Sequence, residues 1–405
     1  MISVAEATRL VWSTLRVLPP ETLPLAAALG RVLREPLHAD RDFPPFDRVA
    51  MDGIAVAYNA LAAGQREFPL ERTQLAGQAP LTLKNPQAAI EIMTGAALPP
   101  GTDTVIRYED LLISDEASQR VAAVQVVPPT AGHNVHRRAA DRRQGDLLLP
   151  VGTVMGPAQL AVAATVGAAQ VQVTRRPRVA VVSTGDELVA IDQTPLPHQI
   201  RRSNGLMLQA AAQQAGAETA AFHFNDDPEV LRVGLPPLLR DFDVVLLSGG
   251  VSKGKADYLP QALQEAGAEQ LFHEVQQRPG KPFWFGRHPQ GAVVFALPGN
   301  PVSTFLNYFR YAQPWLLAAQ QPHPSPAPTA YATLATDFVF KPSLTHFLLV
   351  KISNTPDGRL WAHPLDRTQN SGDLASLLHA DAFVELPADR VEFAAGEGLP
   401  LWRLA

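Results

Sequence analysis

The feature that most constrains the fold of this chain is an alternation of short apolar segments with helical patterns between residues 178 and 318. Candidate strands occupy 178–183, 219–224, 243–248 and 291–297. Helical patterns fill the intervals at 205–215, 227–239, 259–266 and 302–318. Short apolar strands that alternate with helices predict a mostly parallel, doubly wound sheet. Ligands bind beyond the carboxyl ends of such strands, so we expect the chemistry in the loops that leave them.

Two breaks in the pattern predict the domain boundaries. The proline-rich stretch QPHPSPAPTA, residues 321–330, is typical of an extended linker, and Pro177 precedes the first apolar strand. We predict an N-terminal region at 1–172, an α/β domain at 173–320 and a C-terminal β domain at 331–405. Within the N-terminal region, short strands joined by Pro and Gly turns predict a β subdomain at about 45–145, inserted among helical segments.

Composition excludes several classes of function. The 405 residues contain no cysteine, which excludes disulfides, thiolate metal sites and cysteine nucleophiles. A formal charge of −5 without long basic runs gives no support for nucleic-acid or membrane-surface binding. The N-terminal stretch MISVAEATRLVWSTLRVLPP has helical spacing with charges between its apolar residues, unlike a signal peptide. Cytoplasmic location is the simplest expectation.

The stretch SGGVSKGKADY, which follows the third strand, is close to a nucleotide-binding P-loop. Its G-x-x-x-x-G-K pattern is followed by Ala256, where a P-loop needs Ser or Thr to hold Mg²⁺. We interpret the stretch instead as a glycine turn whose backbone N–H groups cradle a phosphate. A simple tight strand exit would explain Gly249 and Gly250, but not Ser252 and Asp257.

Three other loops are candidates for ligand contacts. In STGDEL, after the first strand, Asp186 and Glu187 could bind a ligand or simply cap a helix, and capping is the usual role in such a turn. In LPGNPVS, Asn300 could likewise be an N-cap between turn-forming residues. In RPGKP, Arg278 and Lys281 could grip an oxyanion from a stiff loop, or form a solvated basic turn.

Carboxylates in the Gly- and Pro-rich loops suggest Mg²⁺, which prefers a few carboxylates together with substrate phosphates. The candidates are Asp52, Asp141, Asp226 and Asp257. Asp141 lies in the basic loop HNVHRRAADRR, which is either a rim for an anionic substrate or a solvated charged loop. The 11 histidines show no His-x-x-x-His or His-x-His spacing, so zinc has no support.

Six ordered motifs resemble those of molybdopterin molybdenumtransferases, of the MoeA and gephyrin E-domain type. They are FDRVAMDGIAV, EIMTGAALPPGTDTVI, VSTGDELV, SGGVSKGKADY, RPGKPFWFG and ALPGNPVSTF. The resemblance implies an N-terminal helical segment with an inserted β subdomain, a central molybdopterin-binding domain and a small C-terminal β-barrel-like domain. It also implies a homodimer that inserts molybdate into adenylylated molybdopterin and releases AMP with the help of Mg²⁺.

The resemblance also implies roles for individual residues. The residues that match positions needed for activity are Asp52, Thr94, Asp141, Glu187, Asp226 and Asp257, of which Asp226 and Asp257 would hold the metal. The residues that would hold the pterin nucleotide and molybdate are Ser183, Thr184, Gly185, Asp186, Ser203, Asn204, Ser248, Gly249, Gly250, Ser252, Arg278, Lys281, Pro298, Gly299, Asn300, Pro301 and Ser371.

Two alternatives to this function stay open at the level of the sequence. Molybdopterin adenylyltransferases share the central fold, but they are usually that domain alone, whereas this chain has large additions at both ends. Loss of Asp52, Asp141 or Asp257 would favour a catalytically silent scaffold of the gephyrin kind, but all three residues are present. Possible protein partners are the adenylyltransferase itself and molybdoenzyme chaperones.

Overall fold

The computed structural model describes residues 1–116, 119–251, 258–322, 330–365 and 370–404, which form two compact units. The first unit comprises Met1–Leu23, Gly30–Arg34 and Gln172–Ala405, and the second comprises Pro24–Leu29 and Glu35–Val171. Most of the proline-rich stretch at 321–330 and two candidate site residues, Ser252 and Asp257, lie outside the described residues.

The helices of the described residues begin with the predicted amphipathic one. Ser3 caps it through a hydrogen bond from the Glu6 backbone N–H to Oγ (3.1 Å), and it buries Val4, Ala7 and Val11. In chain order the helices are α1 (Val4–Ser13), α2 (Tyr58–Ala62), α3 (Pro157–Thr165), α4 (Ser203–Gln214), α5 (Pro228–Asp241), α6 (Leu259–Glu265), α7 (Pro301–Asn307) and α8 (Gln313–Ala319). Within the described residues, no helix is both long enough and apolar enough for a membrane span.

The second unit contains the predicted β subdomain. Its main sheet has the strand order β7-β4-β6-β5-β9-β8, in which only β5 and β6 pair in parallel. Buried Ile54, Phe68, Ile106 and Ala122 form one of its cores. The strands up to residue 174 are β1 (Pro20–Pro24), β2 (Leu37–His38), β3 (Arg48–Val49), β4 (Gly53–Val56), β5 (Glu67–Gln74), β6 (Ala89–Ile92), β7 (Thr104–Arg107), β8 (Leu111–Glu116), β9 (Gln119–Val124), β10 (Val135–His136), β11 (Leu147–Leu149) and β12 (Gln170–Thr174).

The first unit contains the predicted α/β domain. Its strands are β13 (Arg178–Thr184), β14 (Leu188–Val189), β15 (Ile200–Arg201), β16 (Glu218–Phe224), β17 (Val244–Ser248), β18 (Glu269–His273), β19 (Gln277–Arg278), β20 (Trp284–Arg287) and β21 (Val293–Leu297). The main sheet has the order β16-β13-β17-β21-β20-β18. The four predicted strands are parallel neighbours, with apolar clusters on both faces, which confirms the doubly wound expectation. Strands β20 and β18 add an antiparallel edge that the sequence pattern did not predict.

The last part of the chain forms a closed barrel of five strands. They are β22 (Ala330–Leu334), β24 (Thr345–Asn354), β25 (Leu360–Pro364), β26 (Ala382–Leu386) and β28 (Gly398–Arg403), while β23 (Phe338–Val339) and β27 (Glu392–Phe393) pair separately. Closure comes from the pairing of β24 with β26. The short strand β19 of the α/β domain pairs in parallel with the start of β24. The expected barrel-like domain is thereby confirmed.

The pattern at 302–318 predicted one helix, but the structure interrupts it. Helix α7 ends at Asn307, a π-helical turn spans Tyr308–Ala312, and α8 begins at Gln313. A π-helical turn is rare and is often found at functional sites. This segment, Tyr308–Ala312, is called the π turn below.

Candidate functional site

Three loops that leave the parallel strands meet at one edge of the sheet. In the strand register Ser183 of β13 lies opposite Ser248 of β17, which in turn lies opposite Leu297 of β21. The loops that follow these positions line a common cleft of about 780 Å³. The cleft lies where a doubly wound sheet is expected to bind its ligand.

Glycine is required where two of these loops approach each other. Gly249 has φ +105°, and a Cβ there would lie 2.7 Å from the carbonyl oxygen of Thr184. Gly250 also has positive φ, at +66°. The Oγ1 atom of Thr184 is buried without a hydrogen-bond partner among the described residues. The glycine turn therefore packs its backbone directly against the end of β13.

A smaller recess of about 260 Å³ continues the cleft toward α4. Asn204 lines this recess, and its Nδ2 donates to Ser248 Oγ (2.9 Å) and to the carbonyl oxygen of Gly299 (2.8 Å). This side chain links the loops after β17 and β21. The predicted residues Ser183, Thr184, Glu187, Ser203, Asn204, Ser248, Gly249, Gly299 and Pro301 all line the recess.

Arg278 and Lys281 both line the cleft and are exposed. They belong to one loop, in which Gly280 has φ +85° and a Cβ would lie 2.5 Å from Asn307 Nδ2. Arg278 is also held by the pairing of β19 with β24, opposite His346. Two cations on a fixed backbone suit an oxyanion or a phosphate, because little backbone freedom remains to be lost on binding.

His346 lines the same cleft, and sequence reasoning missed it. Its Nδ1 lies 3.0 Å from the carbonyl oxygen of Arg278, which can only accept, so Nδ1 carries the proton of the neutral ring. The ring stacks on Phe340 at a centroid distance of 4.2 Å. Burial lowers the pKa of His346 to about 4, and the nearby Arg278 charge also lowers it. His346 is therefore uncharged near neutral pH.

Two predicted carboxylates, Glu187 and Asp226, line the cleft together. A Cβ atom built on Gly185 would lie only 2.6 Å from Glu187 Oε2. The glycine therefore makes room for the Glu187 carboxylate. The helix-cap interpretation of STGDEL is wrong, because Asp186 and Glu187 form a turn and the short strand β14 begins directly after them, at Leu188. Asp186 Oδ1 instead accepts from the backbone N–H of Asp226 (3.2 Å), which ties the two loops together.

The described residues contain no group of three or more His, Cys, Asp or Glu side chains placed to hold a metal ion. That is compatible with the expected site, which needs Asp226, Asp257 and substrate phosphates, and Asp257 lies outside those residues. Carboxylate and phosphate oxygens are the ligands that Mg²⁺ prefers. Asp226 fits such a role by its position in the cleft.

The loop LPGNPVS contributes Pro298, Gly299 and Asn300 to the cleft. Asn300 occupies the N-cap position of α7, but its side chain makes no capping hydrogen bond. Its Nδ2 donates to Ser371 Oγ (3.0 Å), another cleft residue. The N-cap interpretation therefore holds for the backbone position only.

Three predicted residues, Asp52, Thr94 and Asp141, lie in the second unit. Asp52 Oδ1 accepts from the Thr94 backbone N–H (2.6 Å) and from Thr94 Oγ1 (2.7 Å), and these bonds lower the pKa of Asp52. Asp141 Oδ1 lies 2.9 Å from His136 Nε2. The other ring nitrogen of His136, Nδ1, accepts a hydrogen bond from the Arg48 guanidinium (3.2 Å). Since arginine can only donate, neutral His136 carries its proton on Nε2 and donates to Asp141.

The basic loop around Asp141 is largely ion-paired. Arg137 pairs with Asp47 (2.8 Å) and Arg138 with Asp42 (2.6 Å). The structure thus brings Asp52 and Thr94 into direct contact, while Asp141 contacts a separate His–Arg pair. All three side chains are exposed.

Sequence profiles of three families match this chain in order. They are described as the MoeA N-terminal region (domain I and II), over residues 2–167, a probable molybdopterin binding domain, over residues 180–318, and the MoeA C-terminal region (domain IV), over residues 331–404. The fold and its cleft thus define a multidomain protein built around an α/β domain of the molybdopterin-binding class.

Full-length relatives agree with that class. The chain is 39% identical over 404 residues to the molybdopterin molybdenumtransferase of Synechocystis sp., covering 99% of this chain and 100% of that one. It is 32% identical to the enzyme of that name from Nostoc sp., over 95% and 88% of the two chains. The solved structure of a molybdopterin biosynthesis MoeA protein from Pyrococcus horikosii has a TM-score of 0.84 at 30% identity, over 100% of this chain and 99% of that one. This chain belongs to the molybdopterin molybdenumtransferase family, which makes it a transferase of molybdenum cofactor biosynthesis.

Proposed function

We propose that this enzyme inserts molybdate into adenylylated molybdopterin and releases AMP. One observation carries the proposal: Arg278 and Lys281 line one cleft with the glycine turns and with Glu187 and Asp226. Molybdate is a dianion and the nucleotide contains a pyrophosphate, so a competent site must offset negative charge with cations and backbone N–H groups. The cleft contains the two cations, and its glycine turns would supply the backbone N–H groups.

Molybdate insertion with release of AMP requires positioning of the substrates and proton transfer rather than a protein nucleophile. When two thiol sulfurs replace one oxo group on molybdate, the two thiol protons leave with that oxygen as water. Cleavage of the phosphoanhydride consumes one water, so water balances over the whole reaction. Arg278 and Lys281 would hold the oxyanion, and Asn204 and the glycine turn would orient the nucleotide.

We propose that Asp226 and Asp257 hold Mg²⁺, which when bound would neutralise charge at the phosphoanhydride. The support is the position of Asp226 in the cleft and the oxygen ligands that the two carboxylates and the phosphates would provide. We further propose a cytoplasmic homodimer in which Asp52, Thr94 and Asp141 take part in activity. The adenylyltransferase and molybdoenzyme chaperones are its proposed partners.

The proposal is tested by measuring AMP release from adenylylated molybdopterin with Mg²⁺, in the presence and absence of molybdate. The wild type is expected to release AMP only with molybdate. Lys281→Met removes the charge but keeps a long side chain, and should lower kcat/KM by about 10- to 100-fold because an oxyanion contact is lost.

Lys341→Met is the matched control, because Lys341 is another exposed lysine of the first unit and does not line the cleft. Its kcat/KM should equal that of the wild type. The proposal would be abandoned if the wild type released no AMP with molybdate, or if both variants behaved alike.

A further inference from the structure

A chain of buried polar side chains lies directly behind the loop that carries Arg278 and Lys281. Gln277, Asn307 and Tyr311 are each at most 2% exposed. The Tyr311 hydroxyl donates to Gln277 Oε1 (2.6 Å), and Gln277 Nε2 donates to Asn307 Oδ1. Buried polar groups with full hydrogen bonding make a rigid arrangement, since breaking one bond leaves its partner unsatisfied.

The chain of hydrogen bonds ends on the Arg278–Lys281 loop itself. The carbonyl oxygen of Gly280 accepts from Gln277 Nε2 (3.0 Å) and from Asn307 Nδ2 (3.2 Å). Because the Gly280 carbonyl oxygen can only accept, Nε2 of Gln277 and Nδ2 of Asn307 must face it, which leaves Gln277 Oε1 to accept from the Tyr311 hydroxyl. Gly280 stands between Arg278 and Lys281, so the position of its peptide determines where both cations are presented.

Besides Gln277 of β19, the donors of this network come from one irregular piece of helix. Asn307 is the last residue of α7, and Tyr311 belongs to the π turn. The neighbouring Arg310 points to the barrel instead, where it pairs with Glu385 (2.7 Å) and lies 4.5 Å from the centre of the Trp402 ring. The π turn therefore contacts the barrel through Arg310 and, through the bond from Tyr311 to Gln277, supports the Arg278–Lys281 loop indirectly.

We infer that Asn307 and Tyr311 are positioning residues, which fix the Arg278–Lys281 loop in the conformation that binds the oxyanion. This deepens the proposed function and rests on it for the identity of the anion. The rigidity of the loop, however, can be measured without any substrate.

The chain offers a matched pair of variants for the test. Tyr311→Phe removes the hydroxyl that donates to Gln277. Tyr308→Phe removes a hydroxyl from the same π turn that is equally buried but has no hydrogen-bond partner among the residues described. Both changes keep the ring and its packing, so they differ only in the hydrogen bond lost.

The first measurement is amide hydrogen exchange of the peptide that covers the loop, in the full chain without ligand. Loss of one buried hydrogen bond should raise the exchange rate of the Arg278, Gly280 and Lys281 amides about tenfold in Tyr311→Phe. Tyr308→Phe should exchange like the wild type. Equal loop exchange in the two variants would overturn the inference, whatever the enzyme's substrate proves to be.

The second measurement is the affinity for molybdate alone, by titration calorimetry. We expect about a tenfold weaker affinity in Tyr311→Phe and no change in Tyr308→Phe. Faster exchange with unchanged affinity would show that the network does not position the cations, and would also overturn the inference. If the wild type failed to bind molybdate alone, AMP release would decide the proposed function, and the exchange comparison alone would decide the role of the network.

Discussion

The uncharged imidazole of His346 makes the protein's stability sensitive to mild acid. Its pKa is about 4 in the folded protein, mainly because burial disfavours the charged ring, against about 6.5 in an unfolded chain. As the pH falls below about 6.5, the unfolded chain binds this proton first, so the unfolding free energy declines until about pH 4.

This effect predicts a difference between the wild type and His346→Gln, which cannot titrate in this range. Urea denaturation at pH 7 and at pH 5 should show a larger loss of unfolding free energy in the wild type than in the variant. Any change common to both proteins reports other groups. The same loss in both would mean that His346 is not held uncharged.

The individual residues of the cleft were predictable where a motif stands at a strand end. Thr184, Gly249 and Asn300 follow that pattern, and all three line the cleft. His346 could not be found this way, because it reaches the site through a hydrogen bond to Arg278, 68 residues away in sequence. The catalytic and ligand roles assigned by resemblance stay predictions.

At the scale of elements, the π turn joins two parts of the first unit through a buried ion pair. Arg310 Nε lies 2.7 Å from Glu385 Oε2, with side-chain exposures of 8% and 21%. Arg310 also lies against the rings of Tyr311 and Trp402. A desolvated guanidinium is costly unless its carboxylate partner remains.

Glu385→Gln should therefore lower the unfolding free energy by about 2–4 kcal/mol, since it leaves a buried cation without its counter-charge. The measurement is chemical denaturation at neutral pH. Glu392→Gln, at an exposed position in β27 of the same part of the chain, should change it by less than about 0.5 kcal/mol. Similar losses in both would show that the pair contributes little.

The helix pattern at 302–318 predicted the position of this element but not its interruption. The apolar face of α7 and α8, which packs on the sheet, can be predicted from the helical spacing of apolar residues. The π turn, in contrast, is accompanied by contacts of Arg310 with Glu385 and of Tyr311 with Gln277, both distant in sequence. Contacts between residues that are distant in sequence cannot be predicted from the periodicity of one short stretch.

For the whole first unit, Asp243 joins two other chain segments, around Arg16 and around Arg175–Arg178, to the start of β17. Its carboxylate accepts two bonds from Arg175 (2.6 and 2.7 Å), one from Arg16 (3.1 Å) and one from the backbone N–H of Arg178 (2.9 Å). Burial alone would raise the pKa of Asp243, but the bonds from Arg175 and Arg178 outweigh it, and the pKa is lowered. The stability from this group is present at neutral pH and lost in acid.

Asp243→Asn should destabilise the protein by about 3–5 kcal/mol, because the arginines lose their shared counter-charge. Asp241→Asn is the control, since Asp241 is half exposed and pairs only with its neighbour Arg240 among the described side chains (2.8 Å). It should shift the thermal midpoint little. Comparable midpoints for the two variants would refute the role given to Asp243.

At this scale the apolar strand patterns predicted the parallel core of the sheet and a C-terminal β domain, whereas the barrel form of that domain was implied by the family resemblance. It did not predict the antiparallel edge formed by β18 and β20. Those strands are short and mix Glu, Gln and Arg with apolar residues. Neither the alternation typical of a half-buried strand nor the continuous apolar run of a buried strand is therefore visible. The place of β20 is set by its pairing with β21, and the place of β18 by its pairing with β20, rather than by their own composition.

The shared register of β13, β17 and β21 has an evolutionary consequence. A one-residue insertion within β17 would move Ser248 and its glycine turn by about 3.3 Å along the sheet and would turn the buried side chains to the opposite face. Insertions and deletions in descendants of this gene should therefore collect in the connections at the far edge of the sheet. The spacing inside each strand would stay constant even where the loop residues change.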